Sequence, residues 1–196
     1  MIRADHAGFC WGVTRVVTCA NEEAARGGDV YTYGPLIHNR SVTDELAAKG
    51  VRMLTDGDAP GAGARVIIRA HGVPPEEARA LEERGYEVIE GTCPHVVRIQ
   101  RIVENAHAAG RRVVILGDTG HAEVTGLLGY CGYTGIVVSS DEDCNRVPPD
   151  EPVTVVAQST LDAECYRRWV SRVREQCGDV EVHDTRCDAT EKRQSA

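Results

Sequence analysis

Three of the eight cysteines, Cys10, Cys93 and Cys187, fall at equivalent points of a repeated sequence, and histidines recur with them. Cys10 precedes His38 by 28 residues, and Cys93 precedes His121 by the same 28. Thiolates presented once per repeat would converge on a pseudo-threefold axis. That arrangement suits a cubane [4Fe-4S] cluster with three protein-bound irons and one open iron. Cysteine number alone would not separate this from zinc, but no two cysteines form a C-x2-C pair, so local zinc-ribbon and thioredoxin signatures are excluded. Cys19, Cys131, Cys144, Cys165 and Cys177 recur nowhere and are read as small buried hydrophobes. His6, His95, His107 and His183 are read as ordinary core or surface histidines. His38, His71 and His121 each follow a strand on the side where the cysteines gather. Imidazoles converging there suggest an anionic ligand of about diphosphate size. Glu123, two residues after His121, would reach the same cavity, where a buried carboxyl group holds its proton. The alternative for Glu123 is a solvated carboxylate favoured by a helix dipole.

The elements that position these residues follow from apolar spacing. After Cys10, Val13, Val16, Val17, Ala20 and Ala24 share a helical face, and Gly27-Gly28 close the segment. Strand 30–33 runs on into the loop of His38. After Cys93, Val96, Ile99, Ile102, Val103 and Ala106 repeat the pattern, and strand 113–116 leads to His121. Strand 65–69 ends at Ala70-His71-Gly72, and strand 152–156 at Ala157-Gln158-Ser159-Thr160. Helices over 75–84 and 163–176, then strands 87–90 and 180–183, lead to Thr92-Cys93 and Thr185-Arg186-Cys187. The reading is an α/β fold of two pseudo-repeated lobes, residues 1–92 and 93–186, with small parallel sheets flanked by helices. Residues 187–196 begin a third lobe, expected to be truncated. Ligands of parallel sheets bind beyond the carboxyl ends of the strands, where all these polar residues lie.

Composition narrows the classes further. With 22 Lys+Arg against 30 Asp+Glu the net charge is −8, and no basic face is visible, which excludes nucleic acid and anionic membrane as first partners. Residues 124–140 are uncharged but hold four glycines and cannot span a bilayer. No signal peptide follows Met1, so the chain is expected in the cytoplasm, where eight cysteines point to metal or redox chemistry rather than disulfides.

At these residues the sequence resembles the 4-hydroxy-3-methylbut-2-enyl diphosphate reductases of the methylerythritol phosphate route to isoprenoids. The matching stretches are 7–13 (AGFCWGV), Ile37-His38-Asn39, 70–73 (AHGV), Thr92-Cys93-Pro94, 120–124 (GHAEV), 157–160 (AQST), 187–190 (CDAT) and Arg193-Gln194. The resemblance implies a [4Fe-4S] cluster on Cys10, Cys93 and Cys187, and a two-electron, two-proton removal of the allylic hydroxyl giving isopentenyl and dimethylallyl diphosphates. It implies that the open iron takes the substrate oxygen, that His38, His71 and His121 hold the diphosphate, and that Glu123 delivers a proton through Ser159 and Thr160. Electrons would come from a ferredoxin or flavodoxin.

Ser159 replaces the first of two threonines usual in the family and keeps the hydroxyl, so the relay should survive. A missing third lobe would open one face of the cluster to solvent and lower its retention and the activity. Two other readings compete: a cluster-dependent dehydratase, which needs no reductant, and a non-enzymatic cluster carrier or redox sensor, which leaves the histidines and Glu123 without a role.

Overall fold

A computed structural model describes residues 8–37, 39–55 and 57–189. They form two compact units, Phe9–Pro94 and a second running from His95 onward.

The first unit contains α1 (Trp11–Ala25), β1 (Val30–Tyr33), α2 (Arg40–Ala48), β2 (Val51–Leu54), β3 (Arg65–Ile68), α3 (Pro75–Glu83) and β4 (Glu87–Ile89). Its four strands are all parallel, in the order β2-β1-β3-β4. Strand side chains alternate between faces, so Val30 and Ile67 pack with Val16, Ala20 and Leu46 of α1 and α2, while Tyr31, Val66 and Ile68 pack with Leu81 of α3. Every residue of β3 is buried, as expected of a central parallel strand covered on both faces. Arg65 opens that strand, and its guanidinium donates to the carboxylate and carbonyl of Glu23 and to the carbonyl of Gly27. Burial opposes charge on Glu23, but the hydrogen bonds from Arg65 and Arg26 outweigh it and hold its pKa below the usual range.

The second unit repeats the plan. It has α4 (Pro94–Ala108), β5 (Arg112–Leu116), α5 (Ala122–Tyr130), β6 (Ile136–Val138), a 3-10 turn at Glu142–Arg146, β7 (Val153–Ala157), α6 (Ala163–Gln176) and β8 (Val180–Val182). The parallel order is β6-β5-β7-β8, the same permutation as in the first unit. Ile99, Val103, Ile115, Leu127 and Val156 fill one side of this sheet, and Leu116, Val155, Trp169 and Val173 the other. Each of these fully buried aliphatic side chains contributes roughly 1.5–3 kcal/mol.

The helices and strands expected from apolar spacing are present with ends shifted by a residue or so; α2, β2 and β6 are additional elements, and α5 is the helix that the alternative for Glu123 supposes. The uncharged stretch 124–140 divides between α5, which ends at Tyr130, and β6. No helix among the described residues is long and apolar enough to cross a membrane.

Candidate functional site

In the first unit, Cys10 is the N-cap of α1, with extended backbone angles and a carbonyl that accepts from Thr14 N at 2.9 Å. Cys93 directly precedes Pro94, the first residue of α4, where proline's missing N–H costs nothing. The Cys93 thiol lies against the first turn of α1: a Cβ on Gly12 would stand 2.5 Å from Cys93 Sγ. Glycine at 12 leaves the thiol in this position; any larger residue would make it rotate away. Cys93 N donates to Ala70 O at 2.9 Å, joining the thiol's backbone to the end of β3. His71 follows Ala70 at that strand end and is half-buried. Beside it, Arg69 Nε donates to Gly72 O at 3.2 Å. His38 lies outside the described residues.

In the second unit, His121 is the N-cap of α5, and its Nδ1 accepts from Glu123 N at 3.1 Å. Since Nδ1 accepts, the hydrogen of the neutral ring is on Nε2. The same turn drives the Glu123 side chain inward to 1% exposure. Its Oε1 accepts from Ser159 N and its Oε2 pairs with Ser159 Oγ, both at 2.6 Å. Burial raises the Glu123 pKa, against the opposing hydrogen bonds from Ser159. The solvated-carboxylate alternative for Glu123 is therefore ruled out by its burial. In the protonated acid, Oε2 donates to Ser159 Oγ, which leaves the serine hydrogen to point elsewhere.

Ser159 also uses its carbonyl, which accepts from Cys187 N at 2.8 Å. Upstream, Thr185 Oγ1 donates to Ala157 O and accepts from Ala157 N, each at 2.7 Å, so its side chain continues the β7–β8 ladder. Cys10 and Cys93 directly precede the first residues of α1 and α4, and Cys187 is followed by helical Asp188 and Ala189, the last described residues.

Thr160 is held differently from Ser159. Its Oγ1 accepts from Gln158 Nε2 at 2.7 Å, and Gln158 Oε1 accepts from Asp118 N at 2.9 Å. Gln158 thus locks the carboxyl ends of β5 and β7 together, and Gly117 makes room for it, since a Cβ there would stand 2.8 Å from Gln158. The sequence marks Gln158 as a member of the 157–160 strand-end motif without giving it a role, and Asp118 carries no signal there. Beyond Thr160 opens a pocket of about 630 Å³ lined by Asp118, Asp141, Cys165, Arg168 and Trp169 among others. Trp169 and Arg168 both donate to Asp141, at 2.7 and 2.9 Å, so much of this polar lining is satisfied internally.

The remaining cysteines divide. Cys131, Cys144 and Cys177 are buried, and burial pushes their thiols up, away from the ligand-forming thiolate. Cys19 and Cys165 are half-buried rather than buried; burial still pushes the Cys19 thiol up, and Cys165 packs against the core of its unit. Cys10, Cys93 and Cys187 are likewise half-buried. Among the described residues no ready-made group of three or more Cys, His, Asp or Glu side chains stands at metal-binding distance. Helix-start thiols and the Gly12 cradle nonetheless fit a thiolate-bound group.

A family model described as LytB protein matches residues 1–196. The chain belongs to the LytB family. Its relatives include the 4-hydroxy-3-methylbut-2-enyl diphosphate reductases of Aquifex aeolicus, 40% identical over 200 residues, and Alkaliphilus oremlandii, 35% identical over 198. Both alignments cover 100% of this chain, and 69% and 71% of the relatives. A solved structure of (E)-4-hydroxy-3-methyl-but-2-enyl diphosphate reductase, the terminal enzyme of the non-mevalonate pathway, matches at a TM-score of 0.88 and 39% identity, over 100% of this chain and 70% of that one. The Plasmodium falciparum E-1-hydroxy-2-methyl-but-2-enyl-4-diphosphate reductase shares the LytB fold, at a TM-score of 0.91 and 24% identity over 96% of this chain and 61% of that one.

Proposed function

We propose that this LytB chain carries the ligand and proton-donor groups of an iron–sulfur reductase acting on 4-hydroxy-3-methylbut-2-enyl diphosphate. LytB family enzymes use an iron–sulfur cluster. Here Cys10, Cys93 and Cys187 would hold it as a [4Fe-4S] group with one open iron. When bound, the cluster supplies electrons and a Lewis-acidic position for the substrate hydroxyl.

The protein's own residues do the rest. His38, His71 and His121 bind the diphosphate through ring N–H donors. Glu123 stores the proton that the departing hydroxyl needs, and Ser159 Oγ passes it on, taking the Glu123 hydrogen as it releases its own. Thr160, fixed by Gln158, orders the strand end beside that relay. In balance, the allylic C–O bond breaks, a C–H bond forms, and two electrons and two protons release water. The products are isopentenyl and dimethylallyl diphosphates, and the electrons come from a ferredoxin or flavodoxin-type donor.

The observation that carries this reading is the buried Glu123, whose two oxygens meet the backbone N–H and the hydroxyl of Ser159, with the same serine's carbonyl on Cys187 N. A cluster carrier would give no role to a stored proton, and a dehydratase, which could use one, needs no reductant. The test is anaerobic reconstitution, iron and sulfide counting, and a dithionite-dependent assay on the hydroxylated diphosphate. Four irons per chain and reductant-dependent formation of both products are expected; turnover without reductant, or no cluster at all, would overturn the proposal.

A further inference from the structure

Residues 90–93 carry the chain from the end of β4 to the start of α4, and their peptide groups are held one by one. Glu90 folds back so that its Oε1 accepts from Thr92 N at 2.7 Å. Gly91 presses so closely on β3 that a Cβ would stand 1.8 Å from Ile68 O. The carbonyls of Glu90 and Thr92 both accept from a single guanidinium, that of Arg15, at 3.2 Å each. Arg15 lies in the second turn of α1, five residues after Cys10. Among the described residues no carboxylate forms an ion pair with it, so its planar fork is committed to these two carbonyls.

We propose that Arg15 is a positioning residue that fixes Cys93 relative to Cys10, by tying the helix that Cys10 begins to the two carbonyls leading into Cys93. This rests on the reading of Cys10 and Cys93 as cluster ligands. A two-pronged rigid donor suits the task, because it fixes direction as well as distance. The second unit repeats the connection with different chemistry. His95, the second residue of α4, donates from Nε2 to Thr185 O at 2.7 Å, two residues before Cys187. Arg98, as far beyond Cys93 as Arg15 is beyond Cys10, is exposed. In both units, the helix begun at one ligand cysteine grips a carbonyl just upstream of the next. The side chain differs and the link persists, which points to the link as the functional part. Groups that orient ligands in this way change metal affinity by about 10–100-fold when removed.

The test compares the full chain with Arg15→Gln, Arg15→Lys and the surface control Arg79→Gln. Each is read by iron retention against a chelator, the electron paramagnetic resonance spectrum of the reduced cluster, and amide exchange at Cys93 without metal. Arg15→Gln should retain iron about tenfold less well, alter the spectrum and speed Cys93 exchange, with partial rescue by Arg15→Lys and no change in the control. Wild-type retention, spectrum and exchange in Arg15→Gln overturn the proposal, as does a fall in melting temperature alone. A wild-type chain that takes up no iron would instead sink the cluster reading, while the exchange measurement still decides whether Arg15 holds Cys93.

Discussion

The two units share one strand permutation, one arrangement of helices and one cysteine position, yet their sheet ends differ in character. The carboxyl edge of the first unit carries nitrogen groups, His71 and the Arg69 guanidinium, while the nearby Arg15 fork is taken by the carbonyls of Glu90 and Thr92. The corresponding edge of the second unit holds an acid, Glu123, withdrawn from water and bound by Ser159. The amino edges contrast as well. Arg65 and Glu23 form a buried pair in the first unit, whereas Arg111 meets Asp179 and Glu181 at a largely open surface in the second. A duplicated α/β unit keeps its core because every core position is constrained by packing on both sheet faces. Strand ends escape that constraint, so there the copies diverge, and on the proposed reading the second unit adds a proton store to the imidazoles that both carry.

The sharpest way to break this contrast is to exchange the two kinds of defect. Glu123→Gln keeps the shape and both hydrogen bonds to Ser159 but stores no transferable proton, so kcat should fall about 10²- to 10⁴-fold with little change in KM. His71→Ala should do the reverse, raising KM by about 10- to 100-fold for the loss of a hydrogen bond to a charged group. If the two profiles are interchanged, the assignment of roles to the two residues is wrong. Stability should separate the amino edges: Arg65→Ala leaves Glu23 buried without its cation and should cost about 3–5 kcal/mol by denaturant unfolding, more than Arg111→Ala, whose carboxylate partners stay solvated. Equal losses would remove that contrast. The pH dependence follows from Glu123's raised pKa. Stability from its buried neutral form is fully present below the unfolded-state value near 4.5 and is lost as pH rises through the folded-state value. The basic limb of kcat should therefore vanish in Glu123→Gln while any limb belonging to the histidines remains. Smallest of all, Ser159→Thr should leave kcat within about threefold of wild type, because the hydroxyl is retained; a loss as large as that of Ser159→Ala would show that size, not the hydroxyl, matters there.

The repeat, the parallel sheets and the cysteine positions could be read in the sequence because they are written as local patterns: apolar runs for β3, β5 and β7, and helical spacing in α1, α4 and α6. Among the edge strands, β4 and β8 are legible, whereas β2 and the three-residue β6 are not. Arg52 and Met53 of β2 are exposed, which erases the buried-strand signal. Helix α5 carries Gly126 and Gly129, which weaken its propensity. At the site, Glu123 and Ser159 were legible as motif members, but their hydrogen bonds span 36 residues. Arg15 reaches a carbonyl 77 residues away. No periodicity reports such a partner. Cys165 shows the opposite limit, since lacking an equivalent in the repeat left it packed against the core rather than buried within it.

Gly12 and Gly91 both lack room for a methyl group, but the obstacles differ: a thiol that can rotate away at position 12, and the main-chain oxygen of Ile68 at position 91. A saturation library would separate them. Selected for folding alone, it should return glycine at 91 while admitting small residues at 12; selected for isoprenoid-dependent growth, it should purge those as well. The two positions together form an internal control that distinguishes a chain kept only for its fold from one kept for its chemistry.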